Sequence, residues 1–240
     1  MNATRLLLPV AALAAAAIAA SGFGARFGVW DWRAGFTILR WGTYAALGIA
    51  AVALVALLVP RLRARGPLGL AVALLLAGGA AAVPLYWLQQ ARAVPPINDV
   101  TTDPENPPAF VAILPLRADA PVPAPYPGAA TASAQRAAYP DLAPIVVSKP
   151  PAAAFDVALA AARSMGWTIV AADAASGRIE ATATTPWFGF RDDVVIRVGA
   201  DARGSRIDVR SVSRVGKSDL GANARRVREY AAIVAGKPPG

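Results

Sequence analysis

The chain has 240 residues, 56% hydrophobic and 16% charged, with a formal net charge of +9. Charged residues make up about a quarter of an ordinary soluble domain, so this composition points to a chain partly removed from water. Cysteine and histidine are both absent, which excludes disulfides, thiolate or imidazole metal sites, cysteine nucleophiles and Ser-His-Asp chemistry.

Three charge-free windows come first: Leu6 to Ala25 and Trp41 to Pro60, of twenty residues each, and Gly66 to Ala91, of 26. A helix needs about 20 apolar residues to cross the hydrocarbon core. These windows are apolar on every side rather than along one stripe, so residues 1–93 are expected to form three transmembrane helices. The first window also has the small residues, Ala17 to Ser21, of a cleavable signal peptide. No Asp, Glu, Lys or Arg lies inside the windows, which disfavours an ion pathway. Gly48, Gly78 and Ala82 are expected to serve close helix packing.

Residues 1–93 carry eight arginines against Asp31 alone. With the N-terminus inside, Arg5, Arg61, Arg63 and Arg65 face the cytoplasm and Arg26, Arg33, Arg40 and Arg92 lie outside. The compact Arg61–Arg63–Arg65 group decides the side. Phe27, Trp30, Trp32 and Phe36 read as an interfacial outer loop, and Tyr86 and Trp87 mark the outer end of the third span. The C-terminal portion is therefore expected outside.

From Val94 to Pro151 the chain holds fourteen of its 21 prolines. Residues 94–141 read as an extended arm, since a run such as Pro121-Val122-Pro123-Ala124-Pro125 cannot build a helix. Asp99, Asp103 and Glu105 could supply oxygen ligands to a cation, or could simply form Asx and Ser/Thr turns.

Residues 142–240 read as an α+β domain in the order β-α-β-β-β-β-α, an antiparallel sheet with helices on one face. Ile145 to Val147 is the first strand, and Pro150-Pro151 opens a helix that Gly166 closes. Trp167 to Ala172 is followed by Arg178 to Thr185, whose alternation turns Ile179, Ala181 and Ala183 inward and Arg178, Glu180, Thr182 and Thr184 outward. Val194 to Val198 and Arg206 to Ser213 make the next hairpin. A final helix is expected from Ser218 or Asp219, burying Leu220, Ala224, Val227, Ala231 and Val234.

Trp187-Phe188-Gly189-Phe190, Asp192-Asp193-Val194 and the long run from Arg210 through Gly216-Lys217-Ser218-Asp219-Leu220-Gly221 to Arg226 resemble one bacterial membrane-protein family, domain of unknown function 1499. The resemblance covers the arm from Ile97 and the whole C-terminal domain. The pattern departs at Asn98, where family members often carry His. It implies a bacterial membrane protein and no activity; with the three spans and the arginine distribution, the expectation is a multi-pass inner-membrane protein with a periplasmic C-terminal domain. The element order is also similar to helix-grip domains of outer-membrane assembly lipoproteins, at the level of fold alone.

Arg210, Arg214, Lys217 and Ser218 form the densest polar constellation. A glycine turn leading into a helix N-terminus, with cations nearby, can cradle an anion. The alternative is plain capping by Ser218 or Asp219, with Asn223 tying the turn to the sheet. Asp192 and Asp193 are neighbours on a strand and face opposite sides, so pairing with Arg191 or Arg197 is expected of them rather than acid/base work. Trp187, Phe188 and Phe190 form either a core plug or an exposed apolar tip. The function expected is a membrane-anchored envelope protein with a non-catalytic periplasmic domain. It would bind a protein partner or an anionic envelope component and use neither cofactor nor nucleic acid. An enzyme using Asp and Ser groups, or a lipid-binding module, are the other possibilities.

Overall fold

The computed structural model describes residues 3–64 and 66–237; Arg65, a member of the orienting arginine group, and the side chain of Arg5 lie outside the described residues. The chain divides into two compact units. One comprises the residues up to Gln89 together with Pro186–Gly189, and the other runs from Gln90 to Thr185 and onward from Phe190.

The first unit is built on α1 (Ala3–Arg26), α2 (Trp32–Leu58), the single turn α3 (Pro60–Arg63) and α4 (Pro67–Ala93) as far as Gln89. Three of these helices are long and apolar enough to cross a membrane. The second begins nine residues before the expected window, because the Asp31 carboxylate accepts hydrogen bonds from the amides of Arg33 (2.7 Å) and Ala34 (3.2 Å) and starts the helix there. Trp32, Phe36 and Arg40 are thus helical, and the loop between the first two long helices shrinks to residues 27–31. The helices meet through alanine: Ala11 and Ala14 of α1, Ala46 and Ala53 of α2, and Ala73, Ala77 and Ala81 of α4 form one buried cluster. Gly48 and Gly78 do not serve this packing, since a Cβ at either would meet open space. A glycine is required instead at Gly22, where a Cβ would lie 2.4 Å from the Trp187 indole. That indole donates to the Ala19 carbonyl (3.0 Å), and Phe188 stacks on Phe36 at 4.9 Å between centroids. The aromatic segment 186–189 accordingly belongs with the helices.

The second unit follows the expected order, with additions from the arm. Its elements are β1 (Asp99–Thr101), α5 (Ala129–Ala138), β2 (Ile145–Val147), α6 (Pro151–Ser164), β3 (Thr168–Asp173), β4 (Arg178–Thr184), β5 (Arg191–Asp201), β6 (Gly204–Ser213) and α7 (Ala222–Val234). The antiparallel sheet runs β1-β6-β5-β4-β3, with β2 also on β6. One face buries Ile179, Ala181, Val194, Ile196, Ile207 and Val209 against Phe155, Ala158, Val227 and Tyr230 of α6 and α7. Trp167 stacks on Tyr230 at 5.3 Å.

The opposite face is not left to solvent. Glu180 and Thr182, expected outward, are buried, because the arm lies over them. Phe110 and Ile113 of the arm pack on Val195 and Val212, and a 3-10 turn, Leu114–Arg117, follows. The prolines keep this covering extended, while the alanine-rich segment 129–138 escapes them and coils.

Candidate functional site

The polar face of the sheet sets charged side chains of β4, β5 and β6 beneath the arm in alternate positions. Arg210 makes a two-pronged pair with Asp99, Nε to Oδ1 at 3.0 Å and Nη2 to Oδ2 at 2.8 Å. It also donates to the carbonyls of Pro108 (3.2 Å) and Ala124 (2.7 Å). Both side chains of the pair are at most 3% exposed. Burial pushes the Asp99 carboxyl above its ordinary value despite the Arg210 guanidinium. Asp193 is shared by two arginines: Arg214, Nε to Oδ2 at 2.9 Å and Nη2 to Oδ1 at 2.8 Å, and Arg117, Nη1 to Oδ2 at 3.2 Å. The guanidiniums of Arg117 and Arg210 both lie over the Phe110 ring, at 5.4 and 5.1 Å from its centroid, and Arg210 lies over Tyr126 at 5.4 Å. Burial lowers Arg117 and raises the Tyr126 hydroxyl to about 12.

Beside this ladder the Glu180 carboxylate accepts hydrogen bonds from the backbone amides of Val111, Ala112 and Ile113 at 2.9 to 3.1 Å. Arg178 Nε stands 3.0 Å away. Further along, Arg197 and Arg206 share Asp103 and Asp208.

The constellation expected around Ser218 is divided by this arrangement. Arg210 and Arg214 turn under the arm and are committed to carboxylates, whereas Lys217 and Ser218 lie in the turn after β6, with Lys217 exposed. Capping falls to Asp219, whose carboxylate accepts from the amides of Gly221 (2.8 Å) and Asn223 (2.7 Å). Burial raises the Asp219 carboxyl. The helix starts at Ala222, later than expected, because Leu220 (φ 54°) and Gly221 (φ 76°) are both left-handed. Leu220 is therefore outside the helix. Ser218 Oγ merely accepts from the Leu220 amide at 3.2 Å. Replacing Asp219 by Ala is expected to cost about 1–2 kcal/mol and Ser218→Ala less than about 0.5 kcal/mol. Urea midpoints of the two variants check the assignment.

Asn223 does tie the turn to the sheet. Its Oδ1 accepts from Ser211 Oγ (2.7 Å), and its Nδ2 donates to Ser213 Oγ (3.0 Å) and to the Asn98 carbonyl (3.1 Å). Asp192 and Asp193 face opposite sides, but their partners are not Arg191 or Arg197. Asp192 meets Arg226 of α7 at 2.6 Å, because its side of β5 looks toward the helices. Asp99, Asp103 and Glu105 are drawn to three separate places, by Arg210, by Arg197 with Arg206, and by Arg136. Among the described residues no three acidic groups converge on a point that could hold a metal. Asp103 Oδ1 instead closes a turn by accepting from the Asn106 amide (3.0 Å).

A family model described as protein of unknown function (DUF1499) matches residues 99–234. The chain belongs to the DUF1499 family. No curated protein and no solved structure matches it. The DUF1499 match begins at Asp99, the first residue of β1, and ends at Val234, the last of α7. It therefore takes in both the arm-covered face and the helix-covered face. Arg117, Glu180, Asp193, Arg197 and Asp208 are the members of the buried face that sequence reasoning missed. For those on the strands the signal was the alternation itself: Arg178 and Glu180, Asp193 and Arg197, and Arg206, Asp208 and Arg210 fall on one side of β4, β5 and β6, with Arg197 opposite Asp208 in register; Arg117, in the arm, had no such signal.

Proposed function

We propose that the chain is a multi-pass protein of the bacterial inner membrane whose C-terminal DUF1499 domain is a non-catalytic, periplasmic binding module for an anionic envelope component or a protein partner. The observation that carries this reading is the fate of the carboxylates. Asp99, Asp192, Asp193, Glu180 and Asp208 are each consumed by a guanidinium or by backbone amides, which among the described residues leaves no free carboxylate in the buried faces to act as general acid or base. Arg191, Lys217 and Arg225 are exposed and available to anions. Arg61 and Arg63, between the second and third spans, support placement of the domain outside.

Alkaline phosphatase fused after Gly240 is expected to be active, since that reporter matures only outside the cytoplasm; activity only for a fusion at Arg63 would invert the topology. Binding is tested on the full chain in zwitterionic nanodiscs with a soluble phosphorylated oligosaccharide. Salt-sensitive retention, weakened about five-fold by Lys217→Ala with an unchanged melting midpoint, supports the reading. Retention indifferent to both salt and Lys217 contradicts it.

A further inference from the structure

The C-terminal unit has one end at which cations and exposed apolar side chains gather, and the chain passes into the unit twice at that end. Arg191 opens β5, and its carbonyl accepts from the Arg214 amide at 3.0 Å, so the end of β6 and the turn bearing Lys217 run beside it. Arg225 stands in the first turn of α7 with Nη1 on the Leu220 carbonyl at 3.1 Å. Arg191, Lys217 and Arg225 are all exposed and none pairs with a carboxylate among the described residues. Arg92 is exposed in the last turn of α4. Asp192, Asp193 and Asp219, which could neutralise this end, are already engaged. Asp119 and Glu229 are exposed and leave the four cations in excess.

The same turn is stitched to the chain just beyond α4. The Asn98 side-chain amide donates to the Gly216 carbonyl, and the Asp219 amide donates to the Ile97 carbonyl at 3.2 Å. Val94, the residue after Ala93, lies within 3.4 Å of the position a Gly221 Cβ would take. Trp87 is seven residues before Val94, about 10 Å along a helix, and tryptophan settles at the membrane–water interface. The turn is bonded to residues 97 and 98, which follow the last turn of α4 closely along the chain. The chain returns to this unit at Phe190, immediately before Arg191.

Apolar side chains complete the surface. Leu114 and Leu116 are 43% and 56% exposed, and the Leu116 carbonyl accepts from Arg214 Nη1 at 2.7 Å, which fixes it at this end. Leucines beside cations match the boundary between phospholipid headgroups and acyl chains; a soluble polyanion has no use for them.

We propose that this end, formed by Arg191, Lys217 and Arg225 with Leu114 and Leu116, is a contact surface for anionic phospholipid headgroups of the membrane that holds the helices. It deepens the anion-binding reading above by naming the bilayer's phosphodiesters as the ligand. Juxtamembrane cations gain affinity for an anionic surface within a Debye length, each by about five-fold.

The chain contains no cysteine, so one introduced thiol can be labelled cleanly. A fluorophore at Ser218→Cys in the full chain, in nanodiscs of phosphatidylcholine with phosphatidylglycerol, is exposed to quenchers carried on either headgroup. Quenching several-fold above that at Ser176→Cys, in the exposed β3–β4 turn, is expected. Quencher on phosphatidylglycerol should exceed the same quencher on phosphatidylcholine by about five-fold or more, and high salt should equalise them. Combined Arg191→Gln, Lys217→Gln and Arg225→Gln should also equalise them, while Lys149→Gln with Arg203→Gln should not. Equal quenching at 218 and 176, or no headgroup preference before the substitutions, overturns the proposal. If that happens while the soluble phosphorylated oligosaccharide still binds, the anion-binding reading stands and only the lipid assignment falls.

Discussion

Replacing Arg210 by alanine is expected to destabilise the C-terminal domain by about 3–5 kcal/mol, because it leaves the Asp99 carboxylate buried without its counter-charge. The carbonyls of Pro108 and Ala124 lose a donor in the same step. Urea denaturation of the full chain, followed by tryptophan fluorescence, reads the change as a shift of midpoint at constant slope. The paired substitution Asp99→Leu with Arg210→Met should recover most of the loss, since a buried ion pair exchanged for apolar groups of similar volume is close to neutral. A double variant no more stable than Arg210→Ala would show that the pair contributes through something other than charge compensation. The pH dependence has a definite sign. A carboxyl raised above its unfolded value penalises folding while ionised, and the penalty is relieved as pH falls through the raised value toward the ordinary one. Removing Arg210 raises Asp99 further, so the variant's deficit should shrink on acidification below neutrality.

The second large effect is expected at Glu180. Its carboxylate is the acceptor for three consecutive arm amides and faces Arg178. Glutamine offers one oxygen where the carboxylate has two, and points an amide at a guanidinium. Glu180→Gln should cost about 2–4 kcal/mol, the range for losing more than one hydrogen bond to a charged acceptor. The loss is local as well as global: hydrogen exchange at Val111, Ala112 and Ile113 should accelerate roughly ten-fold or more, while the amides of β5 keep most of their protection. Unchanged exchange at 111–113 would mean that apolar contacts of Phe110 and Ile113 alone hold the arm.

These two sites show where sequence reasoning stopped. The order of strands and helices from Ile145 onward follows from alternation and from turn residues, and the apolar face of β4 (Ile179, Ala181, Ala183) was legible because only one periodicity fits it. Three charge-free windows were equally plain. The charged face carried an ambiguous signal: Glu180 and Thr182 alternate like solvent-facing residues whether water or another segment lies above them. What covers them is the proline-rich loop around Phe110 to Arg117, which has no periodicity of its own; β1, the other arm element, adds only a three-residue edge strand, Asp99–Thr101, too short to register. The binding constellation at 210–218 was read as one cluster because its members are close in sequence. Along a strand, though, Arg210 and Arg214 share a side that the turn residues Lys217 and Ser218 do not. The late start of α7 was hidden for a different reason, since Leu220 adopts a left-handed backbone that its side chain does nothing to announce.

The pairing of β1 with β6 has a consequence for the order of events during synthesis. Asp99 leaves the ribosome 111 residues ahead of Arg210, an interval of about 6–20 s at ordinary rates of elongation. Throughout it the arm has neither its neighbouring strand nor its counter-charges. A segment obliged to wait is safest if it does not collapse, and a chain stiffened by prolines and carrying four carboxylates between Asp99 and Asp119 meets that need. The arm is among the first parts of its domain to emerge and must be among the last to dock, so the domain can close only when its final strand arrives.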